Sequence, residues 1–253
     1  MNAQLLIPDS QLDSPLGRVS PLVKLGIAFG WLAGLALTTD PRPPIVLALV
    51  GMVAAVTLGA VPVRRFARGA APLVIAAGGI AVFNALFSAQ NANPVAAVAI
   101  AVGPLRVTTP ALLTAIGLFA RIVAIGTTAV AFGQTTDSTR LVDSLVRQGR
   151  VSPRFGYGAL AAYQAIPRLA DDLGALRASR RIRGMGSTWH PRLLLGLLVR
   201  AIRQGDGLAL AMDARAFGLG RRTWYRDLRW QVRDVAAATG GVAILVGALL
   251  LAR

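Results

Sequence analysis

The chain has 253 residues, 55% of them hydrophobic and only 15% charged, yet its formal net charge is +16. A mean hydropathy of +0.59 excludes most soluble classes and points to an integral membrane protein with a cationic aqueous part. Cysteine is absent and His190 is the single histidine, which excludes a disulfide framework and argues against a histidine metal site or a Ser-His-Asp triad.

The N-terminal MNAQLLIPDSQLDSPLGR carries two aspartates and no cationic start, so it does not read as a cleaved signal peptide. The first apolar span is therefore expected to remain as an anchor. Four stretches are long and apolar enough to cross a bilayer, at residues 22–39, 44–60, 71–89 and 110–133, and a fifth closes the chain at 235–252. Residues 94–109, PVAAVAIAVGPLRVTT, are too short to span. Their alternation, β-branched residues and the Gly103-Pro104 interruption predict a hairpin or a re-entrant loop. The expected fold is an all-α membrane protein of about five transmembrane helices. Its parts are a four-span region over 1–133, a helical cytoplasmic insertion over 134–234 and a last span over 235–253.

Arginine sets the orientation. Arg64, Arg65 and Arg68 lie in the 61–70 loop between the second and third spans, and the stretch from Arg140 to Arg233 is dense in arginine. The other two inter-span loops hold one cation each, Arg42 and Arg106. The positive-inside rule then places the N-terminus, the 61–70 loop and residues 134–234 in the cytoplasm, with the C-terminus outside.

Within the insertion, TTDSTRLVDSLVRQG starts a helix with Asp137 or Ser138 as N-cap and Gly149 at its end. From 155 to 183, Leu160, Tyr163, Ile166, Leu169, Leu173 and Leu176 form one helical stripe, with Pro167 kinking or breaking the helix. Arg168, Asp171, Asp172, Arg177 and Arg180 lie on the opposite face. A third helix runs from about Pro191 to Met212, and its LLLGLLV half is apolar nearly all round, as for packing on a membrane or on the other long helix.

Each long helix ends in an arginine–small–glycine phrase, RASRRIRGMGSTWH at 177–190 and LALAMDARAFGLGRRTWYR at 208–226. Gly184 and Gly186, then Gly218 and Gly220, suit helix C-caps, and arginine in the last turn suits the helix dipole. One such phrase is ordinary capping. Two of them, at consecutive helix ends in a chain without other chemistry, point to docking on acidic partners, for which the planar guanidinium fork is suited. Lys24 is the only lysine, so the basic face is committed to arginine. Arg121 is the one strongly ionic residue near mid-membrane, either a substrate or partner contact or a group that faces a polar crevice or pairs with carbonyls. GRRTWYR, with Trp224 and Tyr225, reads as an interfacial anchor before the last span. No G-x-x-x-x-G-K-[ST] phosphate loop occurs, and no paired carboxylates lie in the spans for acid–base work.

With these features assembled, the chain resembles the transmembrane T component of energy-coupling factor (ECF) transporters, ABC-type importers of vitamins and transition-metal ions. The resemblance spans nearly the full length. It rests on DSPLGRVSPLVKL, similar to an Asp-Pro-x-x-Lys opening with Ser20 in the aspartate position, on VTTPALLTAIGLFARIVAIGTTAVAF, on QTTDSTRLVDSL and on AIPRLADDLGALRASRRIRG. The family's paired Ala-Arg-Gly motifs match Ile182-Arg183-Gly184 and Ala214-Arg215-Ala216, each with one departure, Ile182 and Ala216.

The resemblance implies a non-enzymatic subunit of the bacterial or archaeal cell membrane. Ile182, Arg183, Gly184, Ala214, Arg215 and Ala216 would dock two cytoplasmic ATPases, with Arg180, Gly218 and Arg121 as additional candidates. It also implies a small integral-membrane substrate-binding S component as partner. ATP and Mg would be bound by the ATPases and no cofactor by this chain. Three other classes stay open on the residues alone: a conventional ABC permease subunit, a membrane enzyme holding an anionic lipid on the basic region, and a nucleic-acid binder. Scarce acids argue against the second, and positive-inside bias explains the arginines more simply than the third.

Overall fold

The computed structural model describes residues 11, 13–38, 40–92, 96–102, 105–185, 190–218 and 230–251. The described chain is nearly all helical and divides into two compact units, one built on Leu5–Leu141 with Arg229–Arg253, the other on Val142–Leu228.

In the first unit a single turn, Pro15–Arg18, is capped by Ser14, whose Oγ accepts from the Gly17 N–H at 3.0 Å. Five apolar helices follow: α1 (Pro21–Ala36), α2 (Arg42–Thr57), α3 (Val63–Phe87), α4 (Thr109–Thr135) and, after the second unit, α8 (Val232–Leu250). Among the described residues three helical segments are long and apolar enough to cross a membrane: Val63–Ala92, Thr109–Thr135 and Val232–Leu250. The other two, α1 and α2, have 16 residues each, about 24 Å of helix against a hydrocarbon core of about 30 Å.

The 61–70 stretch, expected as a loop, is helical from Val63, so Arg64, Arg65 and Arg68 occupy the first turns of α3. Hydropathy falls at those arginines, but arginine is a good helix former and Pro62 has already set the chain at the N-cap. The 94–109 region forms an antiparallel hairpin, β1 (Val98–Val102) with β2 (Leu105–Thr108), and Val102 pairs with Leu105. Gly103-Pro104 lies outside the described residues.

Trp31, Leu35, Leu47, Ala124 and Ala248 form one buried cluster joining α1, α2, α4 and α8. Ala55, Val61, Phe66 and Ala70 form a second, where α2 turns into α3. Large apolar side chains such as Phe29, Ile75, Phe83 and Val242 point outward, a pattern that suits hydrocarbon rather than water. The helices alternate in direction, so the starts of α1, α3 and α8 share one end with the ends of α2 and α4. Hydrogen bonds across that end make this concrete: the Leu16 N–H to the Leu58 carbonyl at 2.9 Å, Gln134 Nε2 to the Arg65 carbonyl at 3.4 Å and the Ser20 N–H to Asp234 Oδ1 at 2.7 Å.

α5 (Ser138–Arg147) leads into the second unit. Asp137 is its cap, because its Oδ2 accepts from the Arg140 N–H at 3.1 Å. α6 (Pro153–Ile182) and α7 (Pro191–Ala214) are the long helices. α6 continues unbroken through Pro167. Of its predicted stripe Leu160 is buried and Leu169, Leu173 and Leu176 are half-buried, while Tyr163 and Ile166 are exposed. In α7, Leu193 is buried and Leu194, Leu195, Leu198 and Val199 are exposed.

Candidate functional site: two arginine-capped helix ends

α6 and α7 pair in antiparallel fashion. Arg200 Nη1 donates to Asp172 Oδ1 at 2.9 Å, and a Cβ on Gly196 would sit 3.6 Å from the Leu176 side chain, so advancing along one helix means retreating along the other. The end of α7 lies by the start of α6. Phe217 meets Tyr157 edge to face with centroids 6.2 Å apart, and the Tyr157 hydroxyl donates to Asp143 Oδ1 at 2.8 Å. The starts are fixed by side chains suited to the task. Ser152 Oγ accepts from the Phe155 N–H at 3.3 Å ahead of Pro153, and His190 Nδ1 accepts from the Arg192 N–H at 3.1 Å ahead of Pro191. The single histidine is thus a helix cap. Among the described residues no group of three or more His, Cys, Asp or Glu side chains is placed to hold a metal ion.

Both phrases end their helices in the same way. After α6, Arg183 is the C-cap, the Gly184 N–H donates to the Arg181 carbonyl at 3.1 Å and the Met185 N–H to the Arg180 carbonyl at 3.2 Å. After α7, Arg215 is the C-cap, with the Ala216 N–H donating to the Asp213 carbonyl and the Phe217 N–H to the Met212 carbonyl, both at 2.9 Å. This nested pair of bonds is the Schellman motif, which satisfies the last carbonyls when the residue after the cap turns left-handed. Gly184 does so at φ 70° and Ala216 at φ 53°. The small third residue of each phrase is therefore a backbone requirement. Gly184 meets it freely, whereas Ala216 adopts a conformation that costs an L-residue roughly 1–2 kcal/mol.

The consequence is presentation. Arg183 and Arg215 are exposed, as are Ala214, Ala216 and Gly184. Ile182 is 87% exposed, an apolar side chain held in water beside a guanidinium at the helix's negative end. Arg180 is half-buried, and its Nε has no hydrogen-bond partner among the described residues. Tyr157 faces Phe217, so the two arginine ends lie at opposite ends of the hairpin, about 40 Å apart along a straight α6 at roughly 1.5 Å per residue.

Gly218 is brought close to the second phrase at φ 91°, and a Cβ there would fall 2.5 Å from Arg154 Nε. Arg154, which the sequence did not single out, closes over that turn. Arg121 is not part of this unit. It lies in α4 of the first unit, where its guanidinium donates to the Thr38 carbonyl just past the end of α1, and its Nε is buried without a partner among the described residues. A carbonyl contact is one of the arrangements the sequence left open for Arg121. Gly186 and Gly220, and with Gly220 the GRRTWYR anchor, lie outside the described residues.

An apolar helical bundle interrupted by an arginine-ended helical hairpin defines a polytopic membrane component with a basic inserted unit. Residues 13–225 match the CbiQ family, described as cobalt transport protein, and the chain belongs to that family. It is 27% identical over 256 residues to the energy-coupling factor transporter transmembrane protein EcfT of Lactococcus lactis subsp. cremoris, covering 94% of this chain and 93% of the relative. Against EcfT of Limosilactobacillus fermentum it is 26% identical over 270 residues, covering 98% and 97%. It is also 27% identical over 259 residues to a putative ABC transporter ATP-binding protein of Bifidobacterium longum, covering 94% of this chain but only 32% of that protein. The family resemblance read from the sequence motifs agrees with these matches.

Proposed function

We propose that this chain is the coupling and scaffold subunit of an ECF importer. It contains no phosphate loop and hydrolyses nothing itself. Arg183 and Arg215 each seat on one of two cytoplasmic ATPases, which bind ATP and Mg, while the apolar bundle holds a small membrane S component that binds a vitamin or a transition-metal ion. The observation that carries this reading is the duplicated Schellman end, which presents an exposed C-cap arginine twice at opposite ends of one hairpin. Two separated, equivalent ends suit two ATPase subunits better than one partner. The Bifidobacterium longum relative, named as ATP-binding and about three times as long as its matching part, supports close association of such a chain with an ATP-binding one.

The five apolar helices all span, with α1 and α2 completed by their flanking turns. The end bearing Arg18, Arg64, Arg65 and Arg140 faces the cytoplasm, the N-terminus lies inside and the C-terminus outside, as the positive-inside rule requires.

Co-expression with ABC-type ATPase subunits from the same genome tests the reading. Removing one partner of a buried charged pair costs about 2–5 kcal/mol, and reversing its sign costs no less. Arg183→Glu or Arg215→Glu should therefore weaken ATPase retention at least thirtyfold, and the double variant should abolish co-purification. Full retention of both ATPases by the double variant would refute the docking role.

A further inference from the structure

The chain leaves the first unit after Leu141 and returns to it at Arg229. Both crossings are tied to the same eight residues, Gly17–Lys24, through groups that docking does not use. On the outgoing side, Lys24 Nζ donates to the carbonyl of Thr135, the last residue of α4, at 2.7 Å, and Arg140 Nη1 donates to the Gly17 carbonyl at 3.3 Å. On the returning side, the Asp234 carboxylate is only 3% exposed and takes two backbone amides, the Ser20 N–H on Oδ1 at 2.7 Å and the Gln231 N–H on Oδ2 at 3.0 Å.

The chemistry of each contact fits its place. Ser20 is the N-cap of α1 but its hydroxyl makes no capping bond there, and Asp234 stands at the third position of α8. One carboxylate therefore sits against the amide-rich starts of two helices, where negative charge is favoured. Lys24 is 7% exposed and its ammonium meets a helix C-terminal carbonyl, the complementary arrangement. A buried carboxylate and a buried ammonium carry a large desolvation penalty unless their hydrogen bonds are kept. Such contacts tolerate sliding poorly, because a displaced charge would lose its hydrogen bonds while still buried.

We propose that Asp234 and Lys24 are positioning residues that transmit movement of the inserted unit to the start of α1, so that α1 answers to both crossings at once. The inference rests on the coupling reading above, since it is ATP binding by docked ATPases that would move the inserted unit.

The test is hydrogen exchange in the intact complex with its co-purifying ATPases, without nucleotide and with Mg and adenylyl imidodiphosphate. The readout is the first turn of α1, whose Val23 and Lys24 amides bond the Ser20 carbonyl at 3.1 and 3.2 Å. In the unaltered complex, nucleotide should change their exchange rate at least threefold. Asp234→Ala and Lys24→Met should each reduce that nucleotide-dependent ratio, and the double variant should bring it to one, with the ATPases still bound. A merely structural role would raise exchange equally in both nucleotide states and leave the ratio intact, which overturns the proposal. So does an unaltered complex in which nucleotide leaves these amides unchanged, a result obtained even if Asp234→Ala does not fold. Lys24→Arg, which keeps the donor, should retain the ratio. Loss of the ATPases from the unaltered chain would instead count against the docking reading.

Discussion

Ala216 and Gly184 occupy the same place in two otherwise matching helix ends, and exchanging their identities isolates what that place demands. A left-handed residue with a Cβ costs roughly 1–2 kcal/mol, and the greater unfolded freedom of glycine offsets about 0.5–1 kcal/mol of that. Ala216→Gly should therefore stabilise the end of α7 by about 1 kcal/mol, close to a fivefold change in local opening. Gly184→Ala should destabilise the end of α6 by a similar amount. Among the described residues a Cβ on Gly184 would have nothing within 4 Å, so none of them adds a steric clash to the backbone term. Hydrogen exchange read by mass spectrometry, corrected for the intrinsic rate of the new residue, measures both. Exchange at Phe217 should slow about fivefold in the first variant and that at Met185 should quicken about fivefold in the second, because these amides close the two motifs. If both replacements move exchange in the same direction, or neither moves it, the left-handed cap is not what sets the third residue of the phrase.

Two further outcomes follow from the hairpin. Gly218→Ala combines a φ of 91° with a Cβ 2.5 Å from Arg154 Nε, so it should destabilise the inserted unit by about 1–3 kcal/mol, seen as a lower thermal midpoint. Asp172→Asn removes a pair whose side chains are 34% and 46% exposed. It should change the midpoint by less than the equivalent of about 1 kcal/mol, and a larger loss would mean that this pair does more than join two exposed surfaces.

Much of the fold was legible because hydropathy and helix punctuation act locally. Asp137, Pro191 and Gly184 each mark a boundary within a residue or two of where the helices begin and end. The start of α3 was missed for a physical reason: apolarity ends at Arg68, but helical hydrogen bonding does not require apolar side chains. At the candidate site, the phrases around Arg183 and Arg215 were visible in the sequence, and so was the oddity of Ala216. That both third residues turn left-handed was not visible, since alanine gives no signal of positive φ. Arg154 and Asp234 were also hidden, because their partners, Gly218 and Ser20, are 64 and 214 residues away in sequence. Ser20, a departure from the aspartate of the opening motif, gains meaning only when a carboxylate from the far end of the chain is found on its amide.

The bond between Trp31 Nε1 and the Gly241 carbonyl joins helices 210 residues apart in sequence, at 2.9 Å in a buried setting. A Cβ on Gly241 would lie 2.9 Å from the Ile27 side chain, so α1 and α8 meet nearly backbone to side chain there. During synthesis this makes α1 wait for α8. Until α8 has been made, the Trp31 indole lacks its acceptor, and an unmatched polar group in an apolar setting is costly. The contacts of α1 with α8 form only after residues 142–228 have been synthesised, which ties completion of the first unit to prior synthesis of the second.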